Sequence, residues 1–213
     1  FIIFSIALVT SHYGIAEIFL FFISSALILS IVTKRPSRNI TPPMVVFFII
    51  VMFSWYVFIS EAAAFNTFIQ YGGYVYYSLK DIFNLESRET AILRGLGLEA
   101  PPTIWNAIGR GFVYSVQLLI LAGLIGLVAK KAEHHLDRDL FIFDVVAVMF
   151  LALLILLPGL SKTMNMTRFF QILLFFLAPL APIGADLSTG LLIKQRNRSW
   201  SLTLLLIILV PYF

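Results

Sequence analysis

Residues 158 to 170 read PGLSKTMNMTRFF and set Lys162 and Arg168 between two long apolar runs. Pro158 and Gly159 suit the end of one helix, and Asn165 or Thr167 suits the cap of the next. A helix start points free N–H groups and partial positive charge at whatever lies beyond it. With two cationic side chains added, that makes an anion site whose natural ligand is phosphate. The same residues also suit a plainer role, as flanks anchoring a helix at a membrane interface.

Other residues invite the same double reading. Arg110 lies within TIWNAIGRGFVYSVQ, and Gln117, seven residues on, falls on nearly the same helical face. Gly109 and Gly111 beside Arg110 allow close helix approach, which favours a protein-facing site over a snorkelling side chain. His12, in the turn SHYG, is a proton donor or acceptor, a phosphate binder when charged, or a turn histidine bonded to backbone. Glu17 follows one and a half turns later, placed to pair with His12 or with a base on another helix. Glu61 closes the run WYVFIS as a boundary carboxylate or as part of an acidic site. Asp186, between Pro182 and the next loop, is a relay or a pairing group. Asp144 reads as close to the interface.

Several patterns carry no chemistry. EHHLDRD (133–139) looks like a metal cluster, but neighbouring histidines point to different faces and no second spaced set exists, so no metal site is expected. With no cysteine, the chain has neither disulfides nor thiolate chemistry. Gly-rich nucleotide loops and the Gly-x-Ser-x-Gly elbow are missing from these residues, and no cofactor can be named from them. The sequons at 39–41 and 197–199 fall in basic loops, and the one at 165–167 hugs an apolar run.

The elements that must hold these residues are set by composition. Hydrophobic residues make up 60% of the 213, charged residues only 12%, about half the soluble norm. Mean hydropathy is +0.97. The expected fold is all-α, a polytopic transmembrane bundle of about seven spans: 1–10, 15–33, 43–60, 104–129, 140–157, 169–193 and 200–213. The first and last read as cut, so 1–213 is expected to be a single transmembrane domain excerpted from a longer protein. Residues 1–33 read as two helices joined at SHYG.

Charge then orients the bundle. Nine of the fifteen basic residues sit in three short loops: Lys34, Arg35 and Arg38; Lys130, Lys131 and Arg138; Lys194, Arg196 and Arg198. The positive-inside rule puts loops 34–42, 130–139 and 194–199 in the cytoplasm, in keeping with a plasma-membrane protein. SHYG, 61–103 and PGLSKTMNMTR then face outward. Within 61–103, Tyr71, Tyr74, Tyr76 and Tyr77 resemble an interfacial aromatic belt. LESRETAILRGLG reads as a short amphipathic surface helix capped by Ser87 and stopped by glycines. Pro101 and Pro102 end that unit, and Thr103 caps the following span.

Four segments in order, SHYG, SWYVF, the Arg110–Gln117 helix and LPGLSKTMNMTRFF with its Leu-Ala-Pro continuation, resemble the later membrane region of an uncharacterised archaeal family of polytopic proteins. That family is distantly similar to GT-C-type lipid-linked-sugar glycosyltransferases. The resemblance implies an outward active site where a polyprenyl-phosphate sugar meets its acceptor. It carries over Arg168, Arg110 and His12 as binders of the lipid phosphate. The early acidic loop of such enzymes is not among these residues, which puts catalysis by this segment alone in doubt.

The leading expectation is a glycosyltransferase-like protein in which Arg110, Gln117, Lys162 and Arg168 hold the donor phosphate and His12 or Glu61 handles protons. A transporter or flippase, with Glu17, Arg110, Gln117 and Asp186 along a path, is the second. A non-catalytic subunit of a larger membrane assembly is the third. The partners expected are the bilayer, the lipid-linked sugar and possible protein subunits, with no nucleic acid.

Overall fold

The computed structural model describes residues 1–34, 37, 39–59, 63–129, 136–161, 166–193 and 198–211. Every regular element among them is helical. In order they are α1 (Ile2–Ser11), α2 (Tyr13–Val32), α3 (Pro42–Phe58), α4 (Ala63–Ser78), α5 (Thr90–Gly95), α6 (Ile104–Val128), α7 (Arg138–Leu156), α8 (Met166–Leu177), α9 (Leu180–Ile193) and α10 (Arg198–Leu209). Short 3-10 turns at Leu79–Asp81 and Leu85–Ser87 lie between α4 and α5.

All seven expected apolar segments are helical, but length separates them. Gly14–Val32, Ile104–Val128 and Arg138–Leu156 are long and apolar enough to cross a membrane. A fourth crossing is available if Phe169–Leu177 and Leu180–Leu191, bent by 56°, form one broken span. Ile2–Ser11, Pro42–Phe58 and Ser199–Leu209 are apolar but shorter. At 1.5 Å per residue, the ten residues of α1 reach only about 15 Å, half the hydrocarbon thickness. The described helices therefore support three or four crossings, not about seven.

The helix breaks follow from local chemistry. At His12 the backbone is extended (φ −157°, ψ 104°), and this one residue ends α1 and starts α2. Its N–H donates to the Leu8 carbonyl, its carbonyl accepts from Ala16, and its Nδ1 accepts from the Ile15 N–H at 3.4 Å. The two-helix reading of 1–33 holds. The α8–α9 bend falls at Ala178–Pro179, where proline lacks the N–H that would continue the ladder. At the end of α7, Leu157 is extended and Gly159 has φ +85°, so 158–159 do stop that helix.

The chain divides into two compact units, Phe1–Ile92 with Asp137–Phe170, and Leu93–Leu136 with Gln171–Phe213. The first is built on aromatic contacts. Phe4 meets Phe19 edge-on at 5.5 Å and Phe19 meets Phe48 at 5.1 Å. Phe22 stacks on Phe143 at 5.5 Å, and Phe150 reaches Phe169 at 6.0 Å. Each such pair adds about 0.5–1.5 kcal/mol beyond its burial. Gly159 brings the end of α7 against α4, since a Cβ there would lie 2.8 Å from Ser78 Oγ.

The second unit is closed by glycine. A Cβ built on Gly123 of α6 falls on the Leu180 carbonyl oxygen, and one on Gly184 of α9 falls on that of Leu119. The helices thus cross backbone to backbone, a geometry only glycine allows. Gly109 and Gly111, expected to serve this purpose, have nothing within 4 Å. Gly123→Ala or Gly184→Ala should therefore cost about 1–3 kcal/mol from overpacking. Gly109→Ala should be neutral or slightly stabilising through helix propensity. Thermal melting of the purified variants in one detergent distinguishes the three.

Candidate functional site

The N-terminal end of α6 assembles a small cationic site from residues close in sequence. Thr103 caps the helix, its Oγ1 accepting from the Asn106 N–H at 3.2 Å, as the Pro-Pro-Thr pattern implied. Arg110 stands in the second turn, half-buried, and its Nη1 donates to the Glu99 carbonyl oxygen at 2.6 Å. The Glu99 carboxylate is turned to another base, accepting from Arg94 Nε at 2.8 Å. That pair is largely exposed and worth about 0–1 kcal/mol. Its larger effect is on charge. The Glu99 carboxylate is occupied, so the Arg110 guanidinium is positioned by a carbonyl and has no ion-pair partner among the described residues.

The loop over this site is set by Gly97. Leu98 N–H donates to Leu93 O at 2.9 Å and Gly97 N–H to Arg94 O at 3.1 Å, the paired bonds of a Schellman stop. Gly97 takes the left-handed conformation, φ +77°. A Cβ at Gly97 would lie 3.1 Å from the hydroxyl of Tyr114, which is buried and has no hydrogen-bond partner. Tyr114 is one turn beyond Arg110, so the two side chains share a face of α6. Sequence reading missed Tyr114, although its i+4 spacing from Arg110 was available.

The other expected site residues are placed as follows. His12 is exposed and its Nδ1 is committed to the cap of α2. Gln117 is exposed on the surface of α6. Arg168 stands in the first turn of α8. Glu61, Lys162 and the histidine cluster at 134–135 lie outside the described residues. The structure thus brings Arg110 together with Arg94, Glu99 and Tyr114. His12 belongs to the first unit and Arg110 and Gln117 to the second. Asp186, read as a relay or pairing group, pairs. Its Oδ1 accepts from Ser201 Oγ at 2.7 Å, and Ser201 also meets Thr189 at 2.9 Å, tying α9 to α10.

A match to known sequences decides the family. Residues 1–208 fit the model of a family described as Predicted membrane protein (DUF2206). The chain belongs to that family. No curated protein and no solved structure matches this DUF2206 chain.

The surface segment of this DUF2206 protein differs from expectation in detail. The tyrosine belt is carried by a 16-residue helix, α4, with Tyr76 and Tyr77 more than two-thirds exposed. The expected amphipathic helix shrinks to α5, six residues long. Ser87 does not cap it. Ser87 closes the preceding 3-10 turn, donating to Asn84 O at 2.6 Å and Asp81 O at 3.2 Å. Arg88, unremarked in the sequence, is buried there, with Nη2 donating to Ile82 O at 2.5 Å.

Gly97→Ala combines a left-handed backbone with a close side-chain contact, so it should destabilise by about 1–2 kcal/mol. Glu99→Gln removes only an exposed pair and should cost less than about 1 kcal/mol. Melting temperatures of the two variants, compared with the parent protein, test that order.

Proposed function

We propose that this DUF2206 chain is a glycosyltransferase-like membrane module that engages a polyprenyl-phosphate-linked sugar at the outward membrane face. The observation that carries the reading is the Arg110 guanidinium, which has no ion-pair partner among the described residues. It is held in place by the Glu99 carbonyl while Arg94 takes the Glu99 carboxylate. A phosphate is the anion that such a pre-positioned fork recognises best, through charge-assisted and bidentate hydrogen bonds.

In this reading Arg110 and Gln117 hold the donor phosphate on the side opposite loops 34–42, 130–139 and 194–199, and Arg168 of the first unit and Lys162 are phosphate binders by the same cationic chemistry. Those loops lie in the cytoplasm and the membrane is the plasma membrane. His12 or Glu61 handles the proton released by the acceptor. The exposed tyrosines of α4 and Phe83 on the following turn, 96% exposed, suit contact with the interface through which a lipid carrier arrives.

A charge-assisted hydrogen bond contributes about 1.5–3 kcal/mol. Arg110→Ala should therefore lower kcat/KM for transfer from a polyprenyl-phosphate sugar by about tenfold to a hundredfold. Arg110→Lys should recover part of the loss, because the charge returns without the planar fork. The assay uses the full-length protein in membranes with labelled donor. Transfer by the alanine variant at the parental rate overturns the reading.

A further inference from the structure

Two aspartates on α7 meet the same problem and only one of them solves it. Asp139 is 7% exposed, and its Oδ2 accepts from Asn39 twice, from the backbone N–H at 3.2 Å and from Nδ2 at 2.6 Å. Asp144 is 0% exposed, and neither of its carboxylate oxygens has a hydrogen-bond partner. It lies inside a helix long and apolar enough to span a membrane. A buried carboxylate without partners is strongly unfavourable, and pairing with another side chain is the ordinary remedy. Asp144 lacks that remedy, so helix pairing does not explain it. An acidic group at such a position is the usual mark of an ion-handling site.

The same unit also holds a polar cleft. A cleft of about 260 Å³ opens where α2 ends and α3 begins, lined by Ser30, Lys34, Ser37 and Thr41 among apolar residues. Its polar groups are organised. Ser30 Oγ accepts from the Ser37 N–H at 2.8 Å, and Ser37 Oγ accepts from the Ile40 N–H at 2.8 Å. Ile40 lines the cleft, and Asn39 beside it is the residue that holds Asp139. From Asp139 to Asp144 is five residues along one helix, a rise of about 7.5 Å. Cleft, Asn39–Asp139 pair and Asp144 all belong to the first unit.

We propose that Asp144 is a cation-binding site of the first unit, and that its ligand is a proton or a monovalent metal ion. The site is independent of the proposed phosphate site on α6.

Dicyclohexylcarbodiimide tests this directly, because it modifies protonated carboxyl groups in apolar surroundings. The full-length protein, in phosphatidylcholine nanodiscs, is treated with the reagent and its peptides are mapped by mass spectrometry. An adduct is expected on Asp144, lost in Asp144→Asn and kept in Asp144→Glu, with all three proteins eluting as single species. Suppression of the adduct by sodium or potassium chloride, but not by choline chloride, identifies a metal ion as the ligand. An adduct indifferent to all three salts identifies the proton. No adduct on Asp144 in any of these salts, in protein that remains monodisperse, overturns the proposal. Arg110→Ala should leave the adduct unchanged, so the phosphate reading and the cation reading stand or fall separately.

Discussion

Hydrocarbon offers no hydrogen bonds, so each backbone N–H and C=O at membrane depth must find its partner within the chain. That constraint explains why every regular element described here is a helix, and it also governs where helices are allowed to stop. At His12 the chain turns from α1 into α2 in a single residue because that residue satisfies three groups at once: Leu8 O through its N–H, Ala16 N–H through its carbonyl, and Ile15 N–H through its ring. At Ala178–Pro179 the ladder is interrupted by a residue that has no donor to lose. Ala178 N–H still reaches Leu174 O, and Ala181 N–H reaches Ala178 O. Each break is made where its local cost is smallest.

Helix packing obeys the same constraint with different materials in the two units. In the first, bulky rings fill the space between helices, from Phe4 through Phe19 to Phe48 and from Phe22 to Phe143. In the second, side chains are removed so that α6 and α9 touch through Gly123 and Gly184. Lipid is as apolar as leucine, so burial alone gives little reason for helices to associate. Ring geometry and backbone proximity supply directional contact that lipid cannot match. The Asp186–Ser201–Thr189 cluster adds a polar tie between α9 and α10, with Thr189 and Ser201 buried.

Much of this was legible before any coordinates. His12 between two apolar runs, Pro179 inside one, and Thr103 after two prolines are local signals, and each marks a boundary that the structure keeps. Signals that depend on neighbours were read less well. Gly109 and Gly111 carry the same small-residue signature as Gly123 and Gly184, and only the partner helix shows which pair is used. Asp144 lies six residues into α7, where distance from the basic loop suggests the interface; its complete burial depends on residues remote in sequence. The described helices give three or four spans where hydropathy suggests about seven, because hydropathy registers an apolar run whatever its helical length, and α1, α3 and α10 are apolar but short. The two units interleave along the chain, so no linker in the sequence announces them.

The arginines away from the basic loops show how a membrane protein keeps a charge available while fixing its position. Arg88 and Arg110 each donate to a backbone carbonyl, Ile82 O and Glu99 O respectively. A carbonyl supplies direction but only partial negative charge, so the guanidinium keeps most of its field. A carboxylate partner would have supplied both and left a neutral pair, as Arg94 and Glu99 do at the surface. A basic residue that only sets topology needs no such arrangement, because charge on the correct side suffices. Positioning by carbonyl is a further expense that topology does not explain. It is an arrangement that suits an anion met by a fork already in place, in keeping with the reading proposed for Arg110.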